Sequence, residues 1–246
     1  MIELGSLEHG GGRRLAMRRR EGRGPTLVFL PGYMSDMEGG KATALDAWAA
    51  AEGRAMVRFD YGGCGASDGD FEAQSLEDWL GDVLAVIDRV ADGPVVLAGS
   101  SMGGWLMLLA ALARPERVAG LVGIAAAPDF TSWGFSADEK RTIREQGRLE
   151  QPSPHGEQPY VTSRVFWESG ERNLLLDREI AIGCPVRLLH GLADADVPWR
   201  NALLLMERLR SADVQAALIK DGDHRLSRDE DIKLLIRTVD SLVEQM

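Results

Sequence analysis

Cysteine and lysine are scarce in this chain, and it contains no long apolar run. The two cysteines, Cys64 and Cys184, lie far apart, and Cys184 precedes a proline at the start of an apolar segment. So small a supply excludes a disulfide framework, and the thiols read as reduced and buried or half-buried, as in a cytoplasmic protein. Without about 18 consecutive apolar residues no helix is expected to span a bilayer. The opening segment MIELGSLEHGGGRRLAMRRREGRG lacks the apolar core of an export signal. Its basic cluster, Arg13, Arg14, Arg18, Arg19 and Arg20, alternates with apolar positions and is expected to form an edge strand. Positive charge is in deficit overall: 28 Lys and Arg face 38 Asp and Glu, a formal net charge of −10. That excludes the broadly positive face which nucleic-acid binding requires. The few lysines (Lys41, Lys140, Lys220, Lys233) carry no functional meaning by themselves.

What is present is ordinary for a folded chain: 246 residues, 45% hydrophobic and 27% charged. A chain of this length buries about 70–75% of its unfolded surface and needs neither disulfide nor structural metal. One domain over 1–246 is expected, as a monomer or a homodimer.

Short apolar runs stopped by glycine or proline alternate with helical stretches. Strands are expected at 26–30, 55–59, 94–98, 118–125, 186–190 and 214–219. Helices are expected at 41–52, 75–91, 102–113, 199–210 and 229–243. Ser75 and Asp78 form a capping box at the start of the second helix. Runs without polar alternation suit strands covered on both faces, so the fold class is α/β, a mostly parallel central sheet with helices on both faces. The rhythm breaks between Asp129 and Ile182, where charge rises, Pro152, Pro154 and Pro159 occur and no strand is evident. This 129–182 insertion is expected to be a small helical cap.

Gly99-Ser100-Ser101-Met102-Gly103 is a G-x-S-x-G sequence placed between a buried strand and an apolar helix. A nucleophile elbow needs that tight turn, with Gly99, Gly103 and Gly104 leaving room around a strained serine. The following helix aims its first amides at the site, where they favour developing negative charge. A phosphate-binding loop would need Gly-Lys-Ser/Thr after the glycines, which is absent. Ser101 needs a base to take its proton. Of the four histidines, His9 precedes the core strands and His155 lies in the insertion. His224, in the loop between the last strand and the last helix, is the chosen base; His190 reads as a structural hydrogen-bonder. The orienting acid should follow the penultimate strand, where His190-Gly191-Leu192-Ala193-Asp194-Ala195-Asp196 offers two carboxylates. Asp194 is preferred, while Asp196 faces solvent or caps the helix starting near Trp199.

Acyl transfer also needs donors for an oxyanion. The N–H of Met102 supplies one, and the loop after the first core strand the other, from Tyr33 with Met34 close behind. The segment Asp60 to Asp68 lacks dinucleotide-binding spacing and reads as a packed turn, and Cys64 within it has no base in view. Met34, Trp105, Phe130, Trp133 and Trp167 either fill the core or line a substrate pocket.

These motifs resemble those of the α/β-hydrolases. LPGYMSDMEGGKA, RFDYGGCGASDG, ADGPVVLAGSSMGGWLMLLAALARPERV, CPVRLLHGLADADVPW and DHR are most similar to the group named α/β-hydrolase domain-containing protein ten. Members of that group are mitochondrial palmitoyl-protein thioesterases that also hydrolyse acyl glucuronides. The resemblance implies an α/β-hydrolase fold, with the nucleophile on Ser101, the acid on Asp194 and the base on His224. It implies a serine hydrolase of small-molecule esters or thioesters, or of S-acylated proteins, with no metal and no cofactor. The insertion follows the group only loosely, and no segment resembling a mitochondrial presequence precedes the core, so a bacterial cytoplasmic relative is expected. A peptidase or carbon–carbon bond hydrolase with the same three residues, and a non-catalytic binding protein of this fold, are the alternatives. An aspartate at the elbow would have pointed to a dehalogenase or epoxide hydrolase; Ser101 excludes it.

Overall fold

The computed structural model describes residues 2–9, 12–152 and 159–246, so the expectation placed on His155 lies outside the described residues. In chain order the elements are strands β1 (Ile2–His9), β2 (Arg13–Arg20) and β3 (Arg23–Leu30), helix α1 (Gly40–Ala51), strand β4 (Arg54–Phe59) and helix α2 (Leu76–Arg89). Strand β5 (Val95–Ser100), helix α3 (Met102–Ala113) and strand β6 (Val118–Ile124) follow. Helices α4 (Phe130–Trp133) and α5 (Ala137–Gln146), strands β7 (Arg148–Gln151) and β8 (Tyr160–Ser163) and helix α6 (Arg164–Arg172) come next. The chain closes with β9 (Val186–Gly191), α7 (Arg200–Arg208), β10 (Val214–Ile219) and α8 (Asp229–Val243).

Eight strands form one sheet in the order β1-β2-β4-β3-β5-β6-β9-β10. The β1–β2 and β2–β4 pairs are antiparallel, and every later pair is parallel. The chain leaves β3 toward β4 on one side, then crosses back so that β5 pairs β3 on the other. The loops after β3 and β5 therefore diverge, opening a crevice at the carboxyl ends of two paired strands.

The central strands read as unbroken apolar runs because both faces are covered. One core layer packs Trp79 and Val83 of α2, Trp105 and Leu106 of α3 and Leu205 of α7 against Val28, Leu97 and Leu121. The other packs Leu45 of α1 and Leu235, Val239 and Leu242 of α8 against Phe29, Val96 and Val122. Full burial of each such side chain is worth about 1.5–3 kcal/mol. Helix α3 is buried at every position from Met102 to Ala111. A helix so apolar all round belongs at the centre of a molecule. The Ser75–Asp78 capping box forms as expected, and Ser136 with Glu139 makes another at the head of α5.

Two expectations are corrected. The arginine-rich β2 is not an edge strand, because β1 pairs with it residue for residue from Ile2↔Arg20 to His9↔Arg13. The arginines' charges are met by Glu38, Asp92 and Asp46, which partner Arg18, Arg19 and Arg20. The segment between β6 and β9 is not purely helical, since β7 and β8 pair as an antiparallel ribbon. Each of these strands is only four residues long, too short for period-two patterning to stand out in the sequence.

Candidate active site

Ser101 sits between β5 and α3 with φ 53° and ψ −118°, a conformation that a non-glycine residue rarely adopts. The fold forces it there: its N–H donates to the Ile124 carbonyl (2.9 Å), and its own carbonyl accepts from Gly104 (2.9 Å) and Ala127 (3.0 Å). Side chains are excluded on either side. A Cβ on Gly99 would run into the Gly103 carbonyl, and one on Gly103 into the Leu30 carbonyl.

Two further loops converge on this turn. The loop after β9 carries Asp194, and the loop after β10 carries His224. They are joined by backbone, with the Leu192 N–H donating to Ile219 (2.8 Å) and the Ala193 N–H to Gly222 (3.0 Å). The resulting geometry is a relay. His224 Nε2 lies 3.1 Å from Ser101 Oγ, and Nδ1 lies 2.9 Å from Asp194 Oδ2. A carboxylate only accepts, so Nδ1 carries the ring proton and Nε2 is free to accept from the serine hydroxyl. The Asp194 side chain is wholly buried, and its other oxygen accepts from the Asp196 and Val197 amides (2.9 and 2.8 Å). Burial alone would raise this carboxyl's pKa. Hydrogen bonds from His190 and His224 and the Val197 amide outweigh it and hold the group well below the usual carboxylate range.

Facing Ser101 is the loop after β3. A Cβ on Gly32 would lie 3.4 Å from Ser101 Cβ, so this backbone passes directly beside the serine. The Met102 N–H opens α3 and has no intrahelical partner, as for every first helical amide. Tyr33 sends its ring inward, against Phe71, Trp79, Phe130 and Phe166 at centroid distances of 4.8–6.0 Å. Its hydroxyl donates to the Val161 carbonyl of β8 (2.6 Å). Met34 follows with φ 53° and is exposed.

A cavity of about 620 Å³ opens over Ser101 and His224. Met34, Phe130 and Trp133 line it, and Trp105 and Trp167 do not. Both tryptophans are buried structural residues: Trp105 donates its indole N–H to the Asn173 carbonyl (3.2 Å) and Trp167 to the Thr131 carbonyl (3.1 Å). Inward helix faces and pocket walls share the same apolar composition, so sequence could not separate them. Phe135, Tyr160 and Lys41 line the cavity without having been foreseen. Lys41 donates to the Arg225 carbonyl (2.5 Å), steadying the loop just past His224, and burial lowers its pKa to about 8. Its only advance signal was rarity.

Asp196 is exposed and lines the cavity, and the N-cap of α7 is Trp199, whose side chain makes no cap hydrogen bond. Ligand atoms of Asp194, Asp196 and His224 lie within 4.8 Å of one another. A cation there would have to displace the His224–Asp194 hydrogen bond. The segment from Asp60 is the packed turn expected, with Asp60 accepting from Met37 (2.7 Å) and Ala66 (2.8 Å). Burial pushes the Cys64 thiol up to about 12, leaving it poorly suited to nucleophilic work.

Residues 25–140 match the family described as serine aminopeptidase, S33. Over 236 residues the chain is 42% identical to the human mitochondrial palmitoyl-protein thioesterase ABHD10, covering 94% of this chain and 77% of that protein. The chain belongs to the α/β-hydrolase family. The structure of mouse α/β hydrolase domain-containing protein 10 superposes with a TM-score of 0.93 at 41% identity, covering 99% of both chains. A crystal structure of a hydrolase from Agrobacterium vitis S4 does so with 0.94 at 38%, again over 99% of both. The fold is thus shared along nearly the whole chain.

Proposed function

We propose that this hydrolase cleaves carboxylic esters or thioesters, with Ser101 as nucleophile, His224 as base and Asp194 as orienting acid. The single observation that carries this reading is the continuous relay from Ser101 Oγ through both His224 nitrogens to a buried, ionised carboxylate. Ser101 Oγ attacks the acyl carbon as its proton passes to His224 Nε2. Asp194 stabilises the imidazolium and holds its tautomer. The tetrahedral oxyanion is met by the N–H groups of Met102 and Tyr33. His224 then protonates the departing alcohol or thiol and the acyl-enzyme remains; water, deprotonated by the same imidazole, attacks the acyl carbon, and His224 returns that proton to Ser101 Oγ as the acid leaves.

The segment 129–182 acts as a cap in this reading, which is supported by Phe130, Trp133, Phe135 and Tyr160 lining the cavity that holds Ser101. The name of the 42%-identical relative supports acyl thioesters, S-acylated proteins included, as the substrate class. No helix among the described residues is long and apolar enough to cross a membrane. Both cysteines are free, in keeping with a reducing compartment such as the cytoplasm.

The test is a chain-length panel of matched esters, thioesters and anilides. Ester and thioester turnover should dominate and vanish in Ser101→Ala, with fluorophosphonate labelling of wild type alone. Turnover retained by Ser101→Ala would overturn the assignment, and faster anilide cleavage would favour the peptidase reading.

A further inference from the structure

His190 is a buried histidine, 1% exposed, and the relay does not use it. It is the penultimate residue of β9, four residues before Asp194, and its Nε2 lies 3.1 Å from the Val197 carbonyl and 3.2 Å from Asp194 Oδ2. Both neighbours can only accept, since one is a carbonyl and the other a carboxylate kept ionised by its surroundings. The Nε2 atom must therefore carry a proton, shared between them. Val197 in turn donates its own N–H to Asp194 Oδ1 (2.8 Å). His190 thus closes a ring through the Val197 carbonyl, the Val197 amide and the carboxylate. Four donors surround Asp194: the Asp196 and Val197 amides on Oδ1, and the His190 and His224 rings on Oδ2.

We propose that His190 is a positioning residue for the reaction, an Nε2–H donor that fixes the rotation of the Asp194 carboxylate and so the aim of His224. This rests on the proposed Ser101–His224–Asp194 reading. Three fixed donors determine the plane of the carboxylate before His224 arrives. With the His190 proton removed, Oδ2 is held by His224 alone, and the carboxylate can turn about its Cβ–Cγ bond. The imidazole would then swing with it, away from Ser101 Oγ. His190 is not among the residues that line the cavity, so the loss falls on the chemical step and not on binding.

Two variants separate this role from plain core packing. His190→Leu keeps apolar volume without a donor, and His190→Gln restores an N–H at similar reach. His190→Leu should lower kcat by about 10–100-fold, the range seen when an outer partner orienting a functional histidine is lost. KM should stay within about twofold, as expected when only transition-state stabilisation is removed. His190→Gln should recover most of kcat even where its thermal midpoint falls as far as that of His190→Leu. Nitrogen NMR of labelled histidine in the wild type should show His190 protonated on Nε2, a readout independent of turnover. A His190 ring protonated on Nδ1 alone would overturn the proposal. So would a folded His190→Leu with kcat near wild type, or a His190→Gln as impaired as the leucine variant. Ser101→Ala, measured alongside, reports on the nucleophile and leaves the histidine NMR result unaffected.

Discussion

Replacing Asp194 by asparagine changes one atom in a wholly buried position, and the surrounding donors dictate the response. Oδ1 accepts from two backbone amides at 2.9 and 2.8 Å, and backbone cannot turn away. The asparagine carbonyl must therefore keep that place, which puts its NH2 where Oδ2 stood. There it faces His224 Nδ1 at 2.9 Å and His190 Nε2 at 3.2 Å, both donors in the wild type. His224 can answer only by moving its proton to Nε2, leaving Nδ1 to accept from the amide. The nitrogen facing Ser101 then carries a hydrogen and cannot take another. Loss of the correct tautomer in a Ser-His-Asp system costs about 10⁴ in kcat, or about 5.4 kcal/mol at 1.36 kcal/mol per tenfold. The assay is steady-state hydrolysis of a p-nitrophenyl ester by Asp194→Asn and wild type, with thermal melting to show that both are folded. A folded Asp194→Asn within tenfold of wild type would refute the tautomer argument and the assignment of the acid together.

Tyr33→Phe removes the hydrogen bond to Val161 and leaves the ring packing in place. It should destabilise the protein by about 1–2 kcal/mol in urea unfolding, because the Val161 carbonyl loses its partner. It should also lower kcat several-fold by loosening the Tyr33 amide; unchanged stability and kcat would show that β8 does not hold this loop. Gly103→Ala should abolish activity and either unfold the chain or distort the elbow, since the added Cβ meets the Leu30 and Pro31 carbonyls; a fully active variant would count against the elbow geometry. Burial lowers Lys41 to about 8 from its ordinary 10.5, so the unfolded chain binds the proton more tightly than the folded one between those values. Stability from this group therefore rises with pH across that window. Melting from pH 7 to pH 10 should show wild type gaining on Lys41→Met; parallel curves would contradict the shift.

Local patterns in the chain were enough for its skeleton. Helix α3 and strand β10 fall where expected, at 102–113 and 214–219, because local composition and the residues that stop each run depend only on near neighbours. The placement of Ser101 was legible for the same reason: an elbow is a turn, and its glycines adjoin it in the sequence. His224 and Asp194 were reachable by chain order and elimination among few histidines, although their meeting within 2.9 Å is a tertiary fact. Other features had no local trace. Pairing of β7 with β8 spans a proline-rich stretch, and β1 covers β2 through a register that no periodicity in β2 announces. Whether Trp105 fills the core or Phe130 lines the cavity depends on which side of α3 the inserted segment comes to rest.

The sequence by itself determined the alternation of strands and helices and the strained serine, because each depends on residues a few positions apart, and chain order shortened the list of the serine's partners. Only the tertiary structure decided which histidine nitrogen faces which oxygen, how His190 and the Tyr33 hydroxyl are engaged, and which aromatics meet the cavity. Those outcomes depend on distances between segments up to 128 residues apart, set by packing across the sheet, where hydrogen-bond direction and fit are resolved only once the chain has closed.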